Sequence, residues 1–331
     1  MRVLLTRLSA LGDIVHTWPL ASLLARELPG IEIHWLVERH FLPLVETHGA
    51  VAGTISVATR CWRKEYLSAA TRQQAASVAR RLRELSFEVA LDPQGLVKSA
   101  IWAKVAGVPT RAGLERRHRR ERAAGLFYTE TVSPLPGATH VVDINLSFAG
   151  VLGVTPALGV APDGRFLLAA GNGPRLAAGS TVVLPATGGP GKAWPPRCWA
   201  QLAAALARAG RPVCVAWGPG ERQLAEAIAS EAGPGVETAP PTSIVELAHL
   251  LSSAQVVVGG DTGTVHLAAS LGVPTVAIFL ATDPLRNRPR GDHVAVVSAA
   301  RTGTRHGRAR TGVAREVGVD EVLAVVHGLA P

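Results

Sequence analysis

In "LSALGDIVHTWP" (8–19) a carboxylate, Asp13, follows Gly12 just after "RVLLTRL", a run that reads as a first buried strand. An acidic side chain there has two available roles. It can cap a helix by accepting the unpaired N–H groups of the first turn, or it can act as a base at the carboxyl end of a strand, where α/β proteins place their chemistry. Taken alone, Asp13 reads as the cap.

The second half carries a different chemistry. In "VVVGGDTGTVHLAASLGVP" (256–274) a buried strand runs into Gly259 and Gly260, and Asp261, Thr262, Gly263 and Thr264 then open a helix that carries His266 on the same face as Thr262. Small residues let backbone N–H groups approach an anion, threonine hydroxyls add donors, and the helix dipole favours negative charge, so the stretch reads as a phosphate cradle; a capped helix with a packed histidine is the alternative. "PATGGPGKAWP" (185–195) brings Thr187 and Lys192 to the same edge of the sheet, and "AWGPGE" (216–221) brings Glu221, whose carboxylate can accept from a ribose diol. Three successive loops offering a lysine, a carboxylate and a helix N-terminus describe a site for a nucleoside diphosphate.

Several familiar chemistries are excluded. No G-x-G-x-x-G follows the first strand, and "TGGPGKAW" lacks the spacing and the hydroxyl of a P-loop. No two aspartates stand in D-x-D spacing, so a bound diphosphate has to be neutralised by basic side chains and helix N-termini rather than by a carboxylate-held metal. Cys61, Cys198 and Cys214 form neither a disulfide framework nor a zinc knuckle, which suits a reducing cytoplasm.

The net charge of +9 implies an anionic partner. Six arginines crowd "RAGLERRHRRER" (111–122), and a looser group of seven runs from Arg286 to Arg310. "RCWRKEY" (60–66) adds Arg60, Arg63 and Lys64, and "LDPQGLVKSA" (91–100) adds Gln94 and Lys98 after a strand. With aromatics at only 5% and no recognised nucleic-acid motif, nucleic acid is not the expected partner. No apolar run approaches the ~20 residues that cross a bilayer, and no signal peptide precedes the first strand.

The elements that must position these residues follow from hydrophobic periodicity. Strands are expected near 2–6, 31–37, 54–57 and 87–91, then near 181–185, 212–216, 255–258 and 274–279. Helices are expected near 18–28 and 68–85, then near 196–209, 221–231, 243–252 and 263–271. The alternation predicts parallel βαβ construction and two domains, 1–172 and 173–331, facing each other across a cleft. The Gly-, Pro- and Ala-rich stretch 153–180 reads as a linker with a short strand near Arg165–Leu168, and the last helix is a candidate to pack back on the N-terminal domain.

Taken together, "SALGDIVHTWP", "RCWRKEY", "LDPQGLVKSA", "GKAWP", "WGPGE" and "DTGTVHLAA" resemble the bacterial lipopolysaccharide heptosyltransferases of glycosyltransferase family 9 along nearly the whole chain. "WRK" and "QGLVKSA" lean towards the type that adds the first heptose to Kdo. The resemblance implies a GT-B fold of two Rossmann-like domains, an N-terminal one for the acceptor and a C-terminal one for the nucleotide sugar. It implies inverting, metal-independent and cofactor-free transfer from ADP-heptose to Kdo-lipid A, at the inner face of the cytoplasmic membrane and in contact with its anionic surface. Asp13 becomes the general base. Thr187, Lys192, Glu221, Asp261, Thr262, Gly263 and His266 become the donor site, and Arg60, Arg63, Lys64, Gln94, Lys98 and Arg120 the acceptor site. A second transferase of the same family acting on another acceptor, a sugar-nucleotide 2-epimerase and a non-catalytic binder of anionic polymer are the rival readings.

Overall fold

The structure, a computed structural model, describes residues 1–65, 67–189, 191–300 and 316–330. Contacts divide the chain into two compact units, Met1–Val160 and Ala161–Pro331. The first contains β1 (Arg2–Thr6), α1 (Leu11–Val15), α2 (Trp18–Glu27), β2 (Glu32–Glu38), β3 (Gly53–Val57), α3 (Thr59–Lys64), α4 (Ala69–Glu84), β4 (Val89–Asp92), α5 (Val97–Val105), β5 (Thr110–Leu114), β6 (Glu130–Val132) and α6 (Val141–Leu146). The second contains β7 (Thr181–Leu184), α7 (Pro196–Arg208), β8 (Val213–Val215), α8 (Arg222–Ala232), β9 (Val236–Thr238), α9 (Ile244–Ser252), β10 (Val256–Gly260), α10 (Gly263–Ser270), β11 (Thr275–Phe279), α11 (Pro284–Asn287), β12 (Val294–Ser298) and α12 (Val319–Leu329).

Each unit is built on one six-stranded parallel sheet. The orders are β3-β2-β1-β4-β5-β6 and β12-β11-β10-β7-β8-β9. Both are doubly wound, with the winding reversing between β1 and β4 in the first unit and between β7 and β10 in the second. In such sheets ligands bind outside the carboxyl ends of the strands at the reversal, because the loops there diverge to opposite faces.

The strands form where parallel pairing requires apolar residues on both faces: "TVVL", "VVVGG" and "TVAIF" are buried throughout. Helix starts follow their local chemistry. Ser68 accepts from the Thr71 N–H at the head of α4, Ser243 and Glu246 form a capping box on α9, and Pro19 lies in the first turn of α2. In the second unit α7 lays Trp199, Leu202, Ala203 and Leu206 on the sheet; Trp194 packs edge-on against Trp199 and donates to the Val317 carbonyl at 3.0 Å.

Several sequence expectations are corrected. The residues at 165–168 form a 3₁₀ turn, Arg165–Ala169, not a strand: the Gly164 N–H donates to the Ser270 carbonyl, and Leu167 is buried as a single anchor, so the segment packs as a plug on the second unit. By contacts, this turn belongs to the second compact unit, which begins at Ala161. Helix α12 places Val322 and Val326 in the core of its own unit. Strands β5, β6, β9 and β12 were not anticipated; "TRAGL" and "ETV" are short and half polar, and only pairing with their neighbours makes them strands. Arg301, Arg305, Arg308 and Arg310 of the second basic stretch lie outside the described residues.

Gly259 and Gly260 also differ from their expected use. A Cβ on Gly259 would meet Val265 at 2.4 Å and Leu184 at 2.9 Å, and one on Gly260 would meet Thr187 at 2.3 Å. The close approach these glycines permit is by the chain itself: they let α10 and the loop after β7 pack onto β10. Gly259→Ala should lower stability by about 1–3 kcal/mol through overpacking, read as a fall in the urea midpoint at unchanged slope. A midpoint equal to that of the parent would refute this packing role.

Candidate active site

In the first unit Asp13 occupies the third position of α1, and its Oδ2 accepts the Ala10 N–H at 3.2 Å. The capping role is therefore realised. The same oxygen lies 3.6 Å from Arg120 Nη1, and the Asp13 side chain keeps 31% of its surface exposed, so the cap does not remove it from solvent.

Around the carboxyl edge of this sheet the loops after five strands bring charges together. Lys98, near the start of α5, donates to Ser9 Oγ at 3.4 Å. Burial holds its ammonium below the ordinary lysine range; Glu38 pulls the other way, and the charges of Arg60, Arg120 and Arg63 push it down further. His40 is likewise lowered, by burial first and then by Arg60. Arg60, Arg63, Lys98 and Arg120 thus share one electrostatic neighbourhood. Lys64 is exposed at the end of α3.

Gln94 departs from expectation. Its side chain is 1% exposed, and Oε1 accepts the Leu8 N–H at 2.7 Å, so it ties two loops instead of facing an acceptor; its Nε2 is buried without a hydrogen-bond partner. Two of the six arginines of the stretch at 111–122 also turn inward, and the other four are exposed. Arg111 binds the Phe127 carbonyl, and Arg119 binds the Leu114 carbonyl and stacks on the Tyr128 ring.

In the second unit Lys192 Nζ forms a close ion pair with Asp261 Oδ2, joining the loops after β7 and β10 at the reversal of the sheet. Thr282 Oγ1 donates to the same carboxylate at 2.5 Å, and His266 Nε2 lies 4.0 Å from Oδ1. Burial pushes the Asp261 carboxyl up, but hydrogen bonding from His266, the charge and hydrogen bond of Lys192 and the Thr282 hydroxyl together hold it well below the carboxylate range. Thr262 is the N-cap residue of α10 with no side-chain cap hydrogen bond, and Gly263 is the first helical residue. Thr187 packs against Gly260, with its hydroxyl buried and unpartnered. Glu221 sits at the head of α8, where Oε2 accepts the Gly218 N–H at 2.8 Å; the carboxylate closes its own loop.

The arrangement brings together most of the residues singled out from sequence, in two sites at two sheet reversals. Sequence reasoning missed Glu38, Ser9, Thr282 and Asp92. Glu38 ends β2, is 1% exposed and accepts from the Thr59 hydroxyl at the start of α3, which carries Arg60 and Arg63. Its signal was available: a carboxylate closing an apolar strand run. Among the described residues no three His, Cys, Asp or Glu side chains gather as a metal-ligand set, and no helix is long and apolar enough to cross a membrane.

Comparison with known proteins bears on both sites. Residues 75–315 match the profile of glycosyltransferase family 9 (heptosyltransferase). The chain is 36% identical over 291 residues to lipopolysaccharide heptosyltransferase 1 of Pseudomonas aeruginosa, covering 86% of this chain and 80% of that protein. It is 33% identical over 289 residues to the heptosyltransferase 1 of Escherichia coli K12, covering 86% and 89%. The structure of E. coli heptosyltransferase WaaC with ADP superimposes with a TM-score of 0.84 over 100% of both chains, at 29% identity. The expected GT-B class, two Rossmann-like units on parallel sheets, is borne out.

The geometry of Asp261 makes a pH prediction. Its folded pKa is depressed, so the stability it contributes is present above the unfolded value, near 4, and is lost as pH falls below that value. Urea midpoints between pH 3 and 6 should therefore drop more steeply for the parent than for Asp261→Asn below about pH 4. Parallel curves would mean that the Lys192 and Thr282 contacts do not stabilise the charged form.

Proposed function

The chain belongs to glycosyltransferase family 9, the heptosyltransferase family, and from that premise we propose that it transfers heptose from ADP-heptose to Kdo of a Kdo-lipid A acceptor, with inversion and without a metal. The observation that most supports this reading is the pairing of Asp13 with Arg120 at one sheet reversal and of Lys192 with Asp261 at the other. The heptosyltransferase 1 relatives support the choice of donor and acceptor.

In this reading the acceptor hydroxyl gives its proton to Asp13 while its oxygen attacks the anomeric carbon of the donor. Among the described residues, the contacts of the Asp13 carboxylate fall on Oδ2, and Oδ1 is the oxygen that takes the proton in this reading. The bond between the anomeric carbon and the β-phosphate oxygen breaks, and negative charge collects on the departing ADP. Lys192 and the first turn of α10 neutralise that charge. An ammonium has three donors, and the Asp261 contact fixes its direction while leaving others for phosphate oxygens. Arg60, Arg63, Lys64, Lys98 and Arg120 bind the carboxylate and phosphates of the acceptor. The same basic surface draws the protein to an anionic bilayer, each exposed basic residue contributing about 1 kcal/mol near the surface, screened by salt.

The direct test is incubation with ADP-heptose with and without Kdo-lipid A, following ADP release. Acceptor-dependent release that survives EDTA is expected. Isomerisation without acceptor would indicate an epimerase, and release only with a core already carrying heptose would indicate a later transferase.

Two sets of variants divide the roles. Asp13→Asn retains an oxygen for the Ala10 N–H but cannot take a proton, so turnover should fall on the order of 10²–10⁴-fold with unchanged ADP affinity; near-normal turnover removes Asp13 as the base. Lys192→Ala should weaken ADP binding in calorimetry by about tenfold or more. Neutralising Arg60, Arg63 and Lys64 together should impair acceptor use and leave ADP affinity intact. The opposite pattern, lost ADP binding with normal acceptor affinity, would reverse the assignment of the two units.

A further inference from the structure

One buried carboxylate lies behind the Asp13 site and is used by nothing in the mechanism above. Asp92 closes β4, is 2% exposed, and accepts four hydrogen bonds. Its Oδ1 takes the backbone N–H groups of Gln94 at 3.0 Å and Gly95 at 3.3 Å; its Oδ2 takes the hydroxyls of Ser99 at 2.8 Å and Tyr128 at 2.7 Å. Burial pushes the carboxyl up to about 6, while Tyr128, Ser99, the nearby Arg7 charge and the Gln94 N–H favour its ionised form. An ionisable group kept in the interior at that cost, when an asparagine would fit the same space, calls for a reason.

The reason lies in what the four donors carry. Gln94, fixed by its N–H, holds the Leu8 N–H through Oε1, and Leu8 begins the loop that leads into α1 and Asp13. Ser99 lies in the first turn of α5 beside Lys98, whose Nζ reaches Ser9 of that same loop. Gly95 has φ +65°, and a Cβ there would lie 3.4 Å from the Arg120 backbone nitrogen; its carbonyl accepts the Glu121 N–H at 3.0 Å, and Glu121 Oε2 accepts the Val97 N–H at 2.8 Å. Tyr128 closes the far side, reaching Asp92 over Gly113, where a Cβ would meet its ring at 2.1 Å. Three of these four paths lead towards functional side chains: Ser99 adjoins Lys98, Gly95 is one hydrogen bond from Glu121 beside Arg120, and Gln94 holds the start of the segment that carries Asp13.

We propose that Asp92 is a positioning residue that sets Asp13, Lys98 and Arg120 in register with one another through the turn it holds, an inference that rests on the reading of those three as the acceptor-side machinery. A neutral residue cannot do this equally well. The amide of asparagine keeps one acceptor oxygen and presents donors in place of the other, so the two turn N–H groups stay paired only if the Tyr128 and Ser99 hydroxyls turn round to accept, Ser99 then donating to the Leu96 carbonyl at 2.8 Å. A carboxylate accepts all four at once, and charge-assisted hydrogen bonds hold geometry more tightly than neutral ones.

The test is steady-state transfer to Kdo-lipid A by Asp92→Asn, Lys98→Ala, the double variant, Asp13→Asn and Tyr128→Phe, with ADP affinity and thermal midpoints measured in parallel. Asp92→Asn should lower kcat/KM for the acceptor about tenfold with ADP affinity unchanged. Combined with Lys98→Ala, it should cost less than the product of the two separate losses, because Lys98 is one of the groups it positions. Tyr128→Phe should shift acceptor kcat/KM in the same direction by a smaller factor. Parent-like acceptor kinetics in Asp92→Asn, or losses that multiply in the double variant, overturn the proposal. If Asp92→Asn does not fold, parent-like acceptor kinetics in Tyr128→Phe overturn it instead. Unchanged transfer in both Lys98→Ala and Asp13→Asn overturns the acceptor-side reading itself, which is a separate result from normal kinetics in Asp92→Asn alone.

Discussion

Two parallel strands in one sheet can be joined only by a crossover that travels over a face, and right-handed crossovers place successive helices on the same face until the winding reverses. Both units reverse once, between β1 and β4 and between β7 and β10. At each reversal two loops leave the carboxyl edge towards opposite faces and open a space between them. The loops bearing Asp13 and Lys98 flank the first of these points; those bearing Lys192 and Asp261 flank the second. The sites are consequences of strand order, and the side chains that fill them determine only what chemistry is done there.

Those side chains share one electrostatic problem. Anionic ligands need cations, and cations gathered at a partly buried edge repel one another and lose hydration. The structure answers by setting acidic groups beneath or beside them. Asp261 steadies Lys192, Asp13 faces Arg120, and Glu38 both offsets Lys98 and fixes the helix that carries Arg60 and Arg63. The chain carries 25 acidic residues against 34 basic ones, and several of the acidic side chains at these edges are enclosed, so the outward surface stays cationic. Two arginines do the reverse. Arg111 and Arg119 bind carbonyl groups and an aromatic ring, so a dense basic stretch contributes less outward charge than its composition suggests.

Much of this was legible beforehand. Alternating apolar runs located eight of the strands because a parallel strand buried on both faces has to be apolar throughout, and "VVVGGDTGTVHLAAS" announced both a strand and the helix it feeds. What escaped was local sequence whose conformation is imposed by neighbours. "TRAGL" becomes β5 only beside β4, and "RFLLA" becomes a 3₁₀ plug because Leu167 finds a buried place and Gly164 a carbonyl partner. Gly259 and Gly260 were legible as sites of close approach, but a sequence does not say what approaches; the answer is Val265, Leu184 and Thr187.

By itself the sequence determined the fold class, the strand-end positions of Asp13, Lys192 and Asp261, and the family, because periodicity and residue type are properties of short windows. Tertiary structure decided the partnerships. Gln94 turned from a candidate ligand into a tie between loops, Glu38 and Thr282 entered the sites, and Asp92 emerged as the acceptor of four donors drawn from three segments. A hydrogen bond depends on angstrom distances between residues that are tens of positions apart in the chain. Only the packed sheet and its loops bring them within reach, and no window of sequence contains that distance.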